Sequence, residues 1–93
     1  MFFKCDSTIV KMRDSRCHFN ASNFWKNYTD KNGDESAYIC TGWAMSNDNI
    51  WRQHSWVCLR DSDSIIETTE DREIYYGFIL NYEECNKFYW DNY

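Results

Sequence analysis

The chain has 93 residues and a formal net charge of −5. A chain of this length has room for one core, so we expect a single domain over residues 1–93. The acidic charge provides no basic surface for nucleic acid, and no segment approaches the roughly 18 apolar residues that span a bilayer. We therefore expect neither nucleic acid nor a membrane among the partners.

The five cysteines are an odd number and form no C-x-x-C pair. This pattern argues against a secreted disulfide framework and against a structural zinc site. The first residues also lack a basic stretch followed by a long apolar run, so no signal peptide is expected. We predict reduced thiols, a cytoplasmic location, and a site that needs no metal and no cofactor.

The first elements along the chain are a short edge strand and a helix. Residues 2–10 have mixed β character and predict the strand, and Asp14 and Ser15 predict the helix N-cap before Cys17. Turn-forming residues over 29–34 predict the end of the helix. Its apolar stripe at helical spacing contains Cys17, Ala21, Phe24, Trp25 and Tyr28.

Four strands and a second helix follow. The 19% aromatic content favours a sheet, and Asn81 predicts the N-cap of the last helix. Short polar turns between consecutive strands predict antiparallel neighbours. The predicted fold is therefore α+β: a helix bearing a cysteine packs on an antiparallel sheet of about four to five strands, followed by a short C-terminal helix. The predicted strands cover residues 37–45, 50–59, 65–69 and 74–80.

Cys17 lies in the first turn of the predicted helix. The partial positive charge and free amides of a helix N-terminus lower the pKa of a thiol, and the thiolate is the nucleophilic form. This position predicts a nucleophile at Cys17, and the alternative is a small buried apolar side chain. We interpret the other four cysteines in that second way: Cys5, Cys40, Cys58 and Cys85.

His54 lies within a predicted strand, where alternation places it on the same face as Trp56 and Cys58. An imidazole on a rigid strand beside an indole has the immobility and the partly dry setting that a general base needs. The alternative is a histidine that is hydrogen-bonded for structural reasons.

Glu67 is the one carboxylate in a short, mostly β-branched strand. Burying a carboxylate is costly unless a charge or a donor meets it. If this strand pairs with the strand of His54, Glu67 orients the imidazole as the third member of a catalytic triad. The alternatives are an outward-facing Glu67, or a partnership with Arg52 or Arg72.

Residues 17–68 contain a set of short motifs that occur together in one known family. The helix begins with Cys17, Ala21 follows four residues later, and the aromatic Phe24 comes next in the motif. The remaining motifs are Tyr38-Ile39-Cys40-Thr41-Gly42-Trp43, His54-Ser55-Trp56-Val57 and Glu67-Thr68-Thr69. In these motifs the chain resembles the core of transglutaminase-like cysteine hydrolases, within the wider papain-like fold. The family usually has aspartate at the position of Glu67.

The resemblance implies a papain-like core and a thiol-dependent acyl-transfer enzyme. Cys17 would attack a carboxamide or peptide carbonyl, His54 would carry the proton, and Glu67 would orient His54. Water would complete hydrolysis or deamidation, and an amine would complete transglutamination. The expected partner is then a protein or peptide substrate.

Two other functions are compatible with the sequence. The first is a small acidic inhibitor of a host protein, of the kind that phages and mobile elements carry, with Tyr89, Trp90 and Tyr93 as contact anchors. A Glu67 side chain directed away from His54 would favour this function. The second is a metal site of Cys17, His18 and His54, although adjacent helix residues point about 100° apart, which is poor geometry for shared ligation.

Overall fold

The computed structural model describes residues 2–3, 7–60, 62, 64–70 and 72–92, with the backbone alone for 2–3. Cys5 and Tyr93, for which the sequence suggested roles, lie outside the described residues. The described elements are β1 (Phe2–Phe3), β2 (Ser7–Ile9), α1 (Cys17–Asn32), β3 (Ala37–Met45), β4 (Trp51–Leu59), β5 (Ile65–Glu67), β6 (Ile74–Ile79) and α2 (Tyr82–Asp91).

One sheet contains all of the described strands, in the order β1-β6-β3-β4-β5-β2. The long hairpin of β3 and β4 forms its centre, with Gly42 opposite His54. The α+β class is therefore confirmed. The expectation of an antiparallel sheet is wrong for one pair, because β2 runs parallel to β5. The sheet has six described strands, where about four to five were expected.

The single edge strand predicted over residues 2–10 is also wrong. The segment supplies β1 to one edge of the sheet, beside β6, and β2 to the opposite edge, beside β5. The outer edge of β5 is occupied by β2, and β6 lies against β3 rather than beside its predecessor β5.

The predicted caps have different outcomes. Asn81 caps α2 as expected, since its side chain accepts the Glu84 amide and the Glu84 side chain accepts the Asn81 amide. For α1 the prediction of Asp14 or Ser15 is wrong: the N-cap is Arg16, whose side chain makes no capping bond to the described residues. Ser15 has a φ of 58° and turns the chain into the helix.

Both helices pack on one face of the sheet. Ala21 and Trp25 of α1 pack with Ile39 and Val57 of the central hairpin, and α2 adds Cys85. The indole nitrogen of Trp25 donates to the carbonyl of Ala37 at 3.1 Å. Burial raises the pKa of Cys85 to about 11, which fits the inert role predicted for this thiol. Within the described part of the chain, no helix is long and apolar enough to cross a membrane.

The opposite face of the sheet carries a second buried cluster, and His54 and Glu67 lie beside it. The ring of Trp56 packs against Tyr75 with centroids 4.8 Å apart. Gly77 makes room for this indole, because a Cβ at Gly77 would lie 3.0 Å from the Trp56 ring and 2.3 Å from the Thr41 carbonyl oxygen. The cluster consists of Cys40, Ala44, Trp56, Ile65 and Tyr75.

Candidate active site

His54 is held on β4 by packing and by one strong polar partner. Its side chain is only 2% exposed, and its ring lies 6.1 Å from that of Trp56 at an interplanar angle of 21°. The ring of Tyr75 approaches it from β6 at 6.3 Å. The predicted alternation along β4 therefore gives the observed neighbour, Trp56, and the imidazole occupies a nearly dry and rigid position.

Glu67 ends β5 and points directly at His54. Its two carboxylate oxygens lie 2.8 and 3.0 Å from Nε2 of His54. The hydroxyl of Tyr75 donates to Oε1 at 2.8 Å, and the amide and hydroxyl of Thr69 donate to Oε2 at 3.1 and 2.9 Å. The structure thus places Glu67 inward and against the imidazole.

These donors favour the ionised form of the Glu67 carboxylate, which is completely buried. Burial alone raises the pKa of Glu67, but the hydrogen bond and charge of His54 act in the opposite direction. The bonds from Tyr75 and Thr69 add to this effect, and the net pKa of Glu67 lies below its ordinary value. Glu67 is therefore ionised at neutral pH.

Cys17 is the first residue of α1 and lines one cleft with His54 at the side of β4. There β5 pairs only with Val57 and Cys58, so the ladder on this side of β4 stops before His54. The His54 side chain and the backbone amides of Ser55 and His18 lie close enough to lower the pKa of the Cys17 thiol. The structure thus brings together all three residues that the sequence indicated.

Cys17 and His54 shift each other's pKa in opposite directions. Burial alone raises the pKa of Cys17, but the hydrogen bond and charge of His54 and the two amides outweigh it and lower the pKa. Burial alone lowers the pKa of His54, whereas its bonds to Cys17 and Glu67 and their charges raise it. Because Glu67 holds Nε2, the nitrogen left for Cys17 is Nδ1. The arrangement favours a thiolate beside an imidazolium.

His18 anchors the start of α1 on the other face of β4. Its Nδ1 lies 2.6 Å from the Ser55 hydroxyl, which itself donates to Thr41 Oγ1 at 3.0 Å. His18 therefore has Ser55 as a hydrogen-bond partner, and the metal site considered from the sequence is not assembled among the described residues. Among the described residues, no group of three histidine, cysteine or acidic side chains is placed to hold a metal ion.

A cleft of about 560 Å³ opens above the Cys17–His54 pair. Cations outnumber carboxylates on its walls, although the chain as a whole is acidic. Arg72 is largely buried here and donates to Ser46 and Thr69 at 3.1 and 3.3 Å. The charged lining residues are Lys11, Asp14, Arg52, Glu70 and Arg72.

The two arginines considered as partners of Glu67 have other roles. Arg52 pairs with Asp48 at 2.8 Å, and Arg72 lies 3.7 Å from Glu70. Tyr89, suggested as a contact anchor, is 9% exposed and belongs to the helix-side core, whereas Trp90 is 61% exposed.

Sequence reasoning did not identify Tyr75 and Ser55 as parts of the site. Tyr75 reaches Glu67 from β6, which is separated from β5 by two strands in the sheet, so no local pattern reports the contact. The backbone amide of Ser55 lowers the pKa of Cys17 at a point on β4 beyond the end of the β4–β5 ladder. The bond from Thr69 to Glu67 does have a local signal, a carboxylate followed by threonine two residues later.

No protein-family model matches this chain, and neither curated proteins nor solved structures show significant similarity to it. The transglutaminase-like resemblance therefore remains a prediction from the short motifs. We base the functional proposal on the geometry of the site.

Proposed function

We propose that this protein is a thiol-dependent acyl-transfer enzyme with Cys17, His54 and Glu67 as its triad, built on a small papain-like core. The observation that carries the proposal is a buried Glu67–His54 hydrogen bond beside a thiol that starts a helix and lines the same cleft as His54. A nucleophile, a base and a group that orients the base are the parts that such a reaction requires.

The reaction begins with the Cys17 thiolate, which attacks the carbonyl carbon of a carboxamide or peptide bond. The new C–S bond gives a tetrahedral oxyanion, and the Nδ1 proton of His54 passes to the leaving nitrogen as the C–N bond breaks. Glu67 stabilises the imidazolium and fixes the ring through Nε2 throughout. The products of this half-reaction are a free amine or ammonia and a thioester at Cys17.

The second half-reaction transfers the acyl group to water or to an amine. Neutral His54 accepts a proton from the incoming nucleophile at Nδ1, and the nucleophile attacks the thioester carbonyl. Collapse of the tetrahedral intermediate breaks the C–S bond and restores Cys17. Water yields hydrolysis or deamidation, and a primary amine yields transamidation.

The start of α1 supports the developing oxyanion. Amides in the first turn of a helix have no intrahelical acceptor, and the helix dipole favours negative charge there. The amide of Cys17 belongs to this set and is adjacent to the reacting sulfur. We assign it as an oxyanion donor, because fixed dipoles in a water-poor site stabilise the charge of the transition state.

We also propose a cytoplasmic, reducing setting, since an odd number of cysteines and a nucleophilic thiol fit such a compartment. The second candidate, a small acidic inhibitor, has Trp90 as its exposed aromatic anchor. The orientation of Glu67 favours the enzyme, because an inhibitor has no need for a buried carboxylate bonded to His54.

The test uses purified protein, a library of glutamine-containing peptides and a primary amine, with mass spectrometry to follow cleavage, deamidation and amine incorporation. We expect at least one of these products and a thioester adduct on the wild type. Cys17→Ala should remove all of them without loss of folding, whereas Cys58→Ala on β4 should retain them. A wild type that forms neither product nor adduct contradicts the proposal.

A further inference from the structure

Tyr75 contributes the one hydrogen bond to Glu67 that comes from β6. We infer that Tyr75 is a positioning residue of the site, which holds the Glu67 carboxylate against Nε2 of His54 and so supports the charged imidazolium. The inference rests on the proposed triad for its consequence in catalysis. Its structural part, the control of His54 through Glu67, can be measured without any substrate.

The positions of the two carboxylate oxygens show why Glu67 needs donors besides His54. Nε2 of His54 lies at nearly equal distances, 2.8 and 3.0 Å, from the two oxygens of Glu67. This contact alone leaves the carboxylate free to rotate about its terminal bond. Tyr75 donates to Oε1 at 2.8 Å, while Thr69 donates to Oε2 at 2.9 Å through its hydroxyl. The two oxygens are thus bound separately, and the plane of the carboxylate is fixed.

The ring of Tyr75 is held independently of its hydroxyl. The residue is 3% exposed, and its ring packs at 4.8 Å from that of Trp56. A phenylalanine at this position retains that packing and removes the donor to Glu67. Tyr75→Phe therefore isolates the hydrogen bond, and Glu67, still buried, loses one of its four donors.

Removing that donor has a defined consequence for the neighbouring groups. The charged form of Glu67 becomes less favoured, so its support for the His54 imidazolium weakens, and the thiolate of Cys17 loses part of its partner's charge. The other titratable or charged groups around the pair stay in place in this variant. They are Cys17 and His18 on α1, Arg52 on β4, Glu70 and Arg72 after β5, and Lys11 and Asp14 on the cleft wall.

The experiment compares Tyr75→Phe with a matched control, Tyr76→Phe, which removes a hydroxyl from the adjacent residue on the opposite face of β6. NMR titration of the His54 imidazole, in a Cys17→Ala background, measures the pair without the thiol. We expect Tyr75→Phe to lower the His54 pKa by about half a unit to one unit. Tyr76→Phe should leave it unchanged.

The His54 titration decides the inference. A fall in the His54 pKa in Tyr75→Phe alone supports it. An unchanged value, or an equal fall in both variants, overturns it, because a merely structural role for Tyr75 does not move this titration. Alkylation of Cys17 in the wild type separately decides the proposed function: a thiol of ordinary pKa removes the enzyme proposal even if the effect of Tyr75 on His54 is present.

Discussion

At the scale of single residues, the site depends on the charge of Glu67. The carboxylate has no exposed surface and is met by four donors from three side chains and one backbone amide. Burying an ionised carboxylate without such partners costs several kcal/mol, on the order of the total stability of a small domain. The four donors therefore contribute a large interaction free energy that stabilises the negative charge beside His54.

Glu67→Gln tests the need for that charge, since it retains the shape of the side chain and removes its ionisation. The imidazolium loses its counter-ion, so the pKa of His54 falls and that of Cys17 rises. We expect the acyl-transfer rate at neutral pH to fall by about 100-fold or more. A peptide assay of the purified variant measures this loss, with the exposed Glu35→Gln as a control that retains full activity. Full activity in Glu67→Gln would contradict the role of Glu67 as the counter-ion of His54.

At the scale of elements, the close approach of β3 and β6 places Tyr75 and the central hairpin around the site. Gly42 and Gly77 are directly opposite each other in this pair. A Cβ at Gly42 would lie 2.3 Å from the carbonyl oxygen of Tyr76 and 2.5 Å from the Cα of Gly77. Because these obstacles are backbone atoms, no side-chain movement relieves the overlap.

Gly42→Ala should therefore destabilise the fold more than an alanine at a glycine with open space. Gly33 provides the comparison: it has a φ of 107°, and no atom lies within 4 Å of its added Cβ. We expect a loss of about 3 kcal/mol or more for Gly42→Ala and about 1 kcal/mol for Gly33→Ala. Urea unfolding of both variants measures the difference, and equal losses would contradict the close β3–β6 approach.

The elements also show which parts of the fold a single sequence can predict. The bounds of β3 follow from a continuous apolar and β-rich run, and the cap of α2 follows from Asn81 and Glu84, so local chemistry determines both. The strands β1 and β2 have only two and three residues, too few for a pattern, and their partners are remote in sequence. The strand order could not be predicted for the same reason, because the choice of which strand lies beside β5 depends on the whole assembled sheet.

The candidate site divides in the same way. Cys17, His54 and Glu67 could be proposed from residue type, a helix start and strand alternation; the structure bonds Glu67 to His54 and places Cys17 on the same cleft as His54. Tyr75 and the amide of Ser55 could not, because their roles depend on strand order and on where a ladder ends.

At the scale of the whole molecule, the buried pair predicts how stability varies with pH. The pKa of Glu67 lies below its ordinary 4.5, so its contribution is complete above that value and is lost as the pH falls through the lowered pKa. The pKa of His54 lies above its ordinary 6.5, so its contribution is complete below 6.5 and is lost as the pH rises through the raised pKa. Both contributions are complete between pH 4.5 and pH 6.5.

Thermal unfolding between pH 3 and pH 6 tests the acidic limb of this dependence. We expect the wild type to lose Tm more steeply than Glu67→Gln as the pH falls below 4.5, because the variant has no buried carboxylate to protonate. A change of about 1 kcal/mol in the free energy of unfolding shifts Tm by roughly 4–8 °C in a domain of this size. Parallel curves for the two proteins would show that the buried charge does not contribute as described.

A working Cys17–His54 pair is detected by the pH dependence of Cys17 alkylation with iodoacetamide, read by peptide mass spectrometry. In the wild type we predict rapid modification of Cys17 well below the ordinary thiol pKa of 9.0, and a return towards that value in His54→Ala. Cys85, with a pKa of about 11, serves as the unreactive internal reference. A Cys17 that reacts as an ordinary thiol, with the same profile in His54→Ala, would contradict the account.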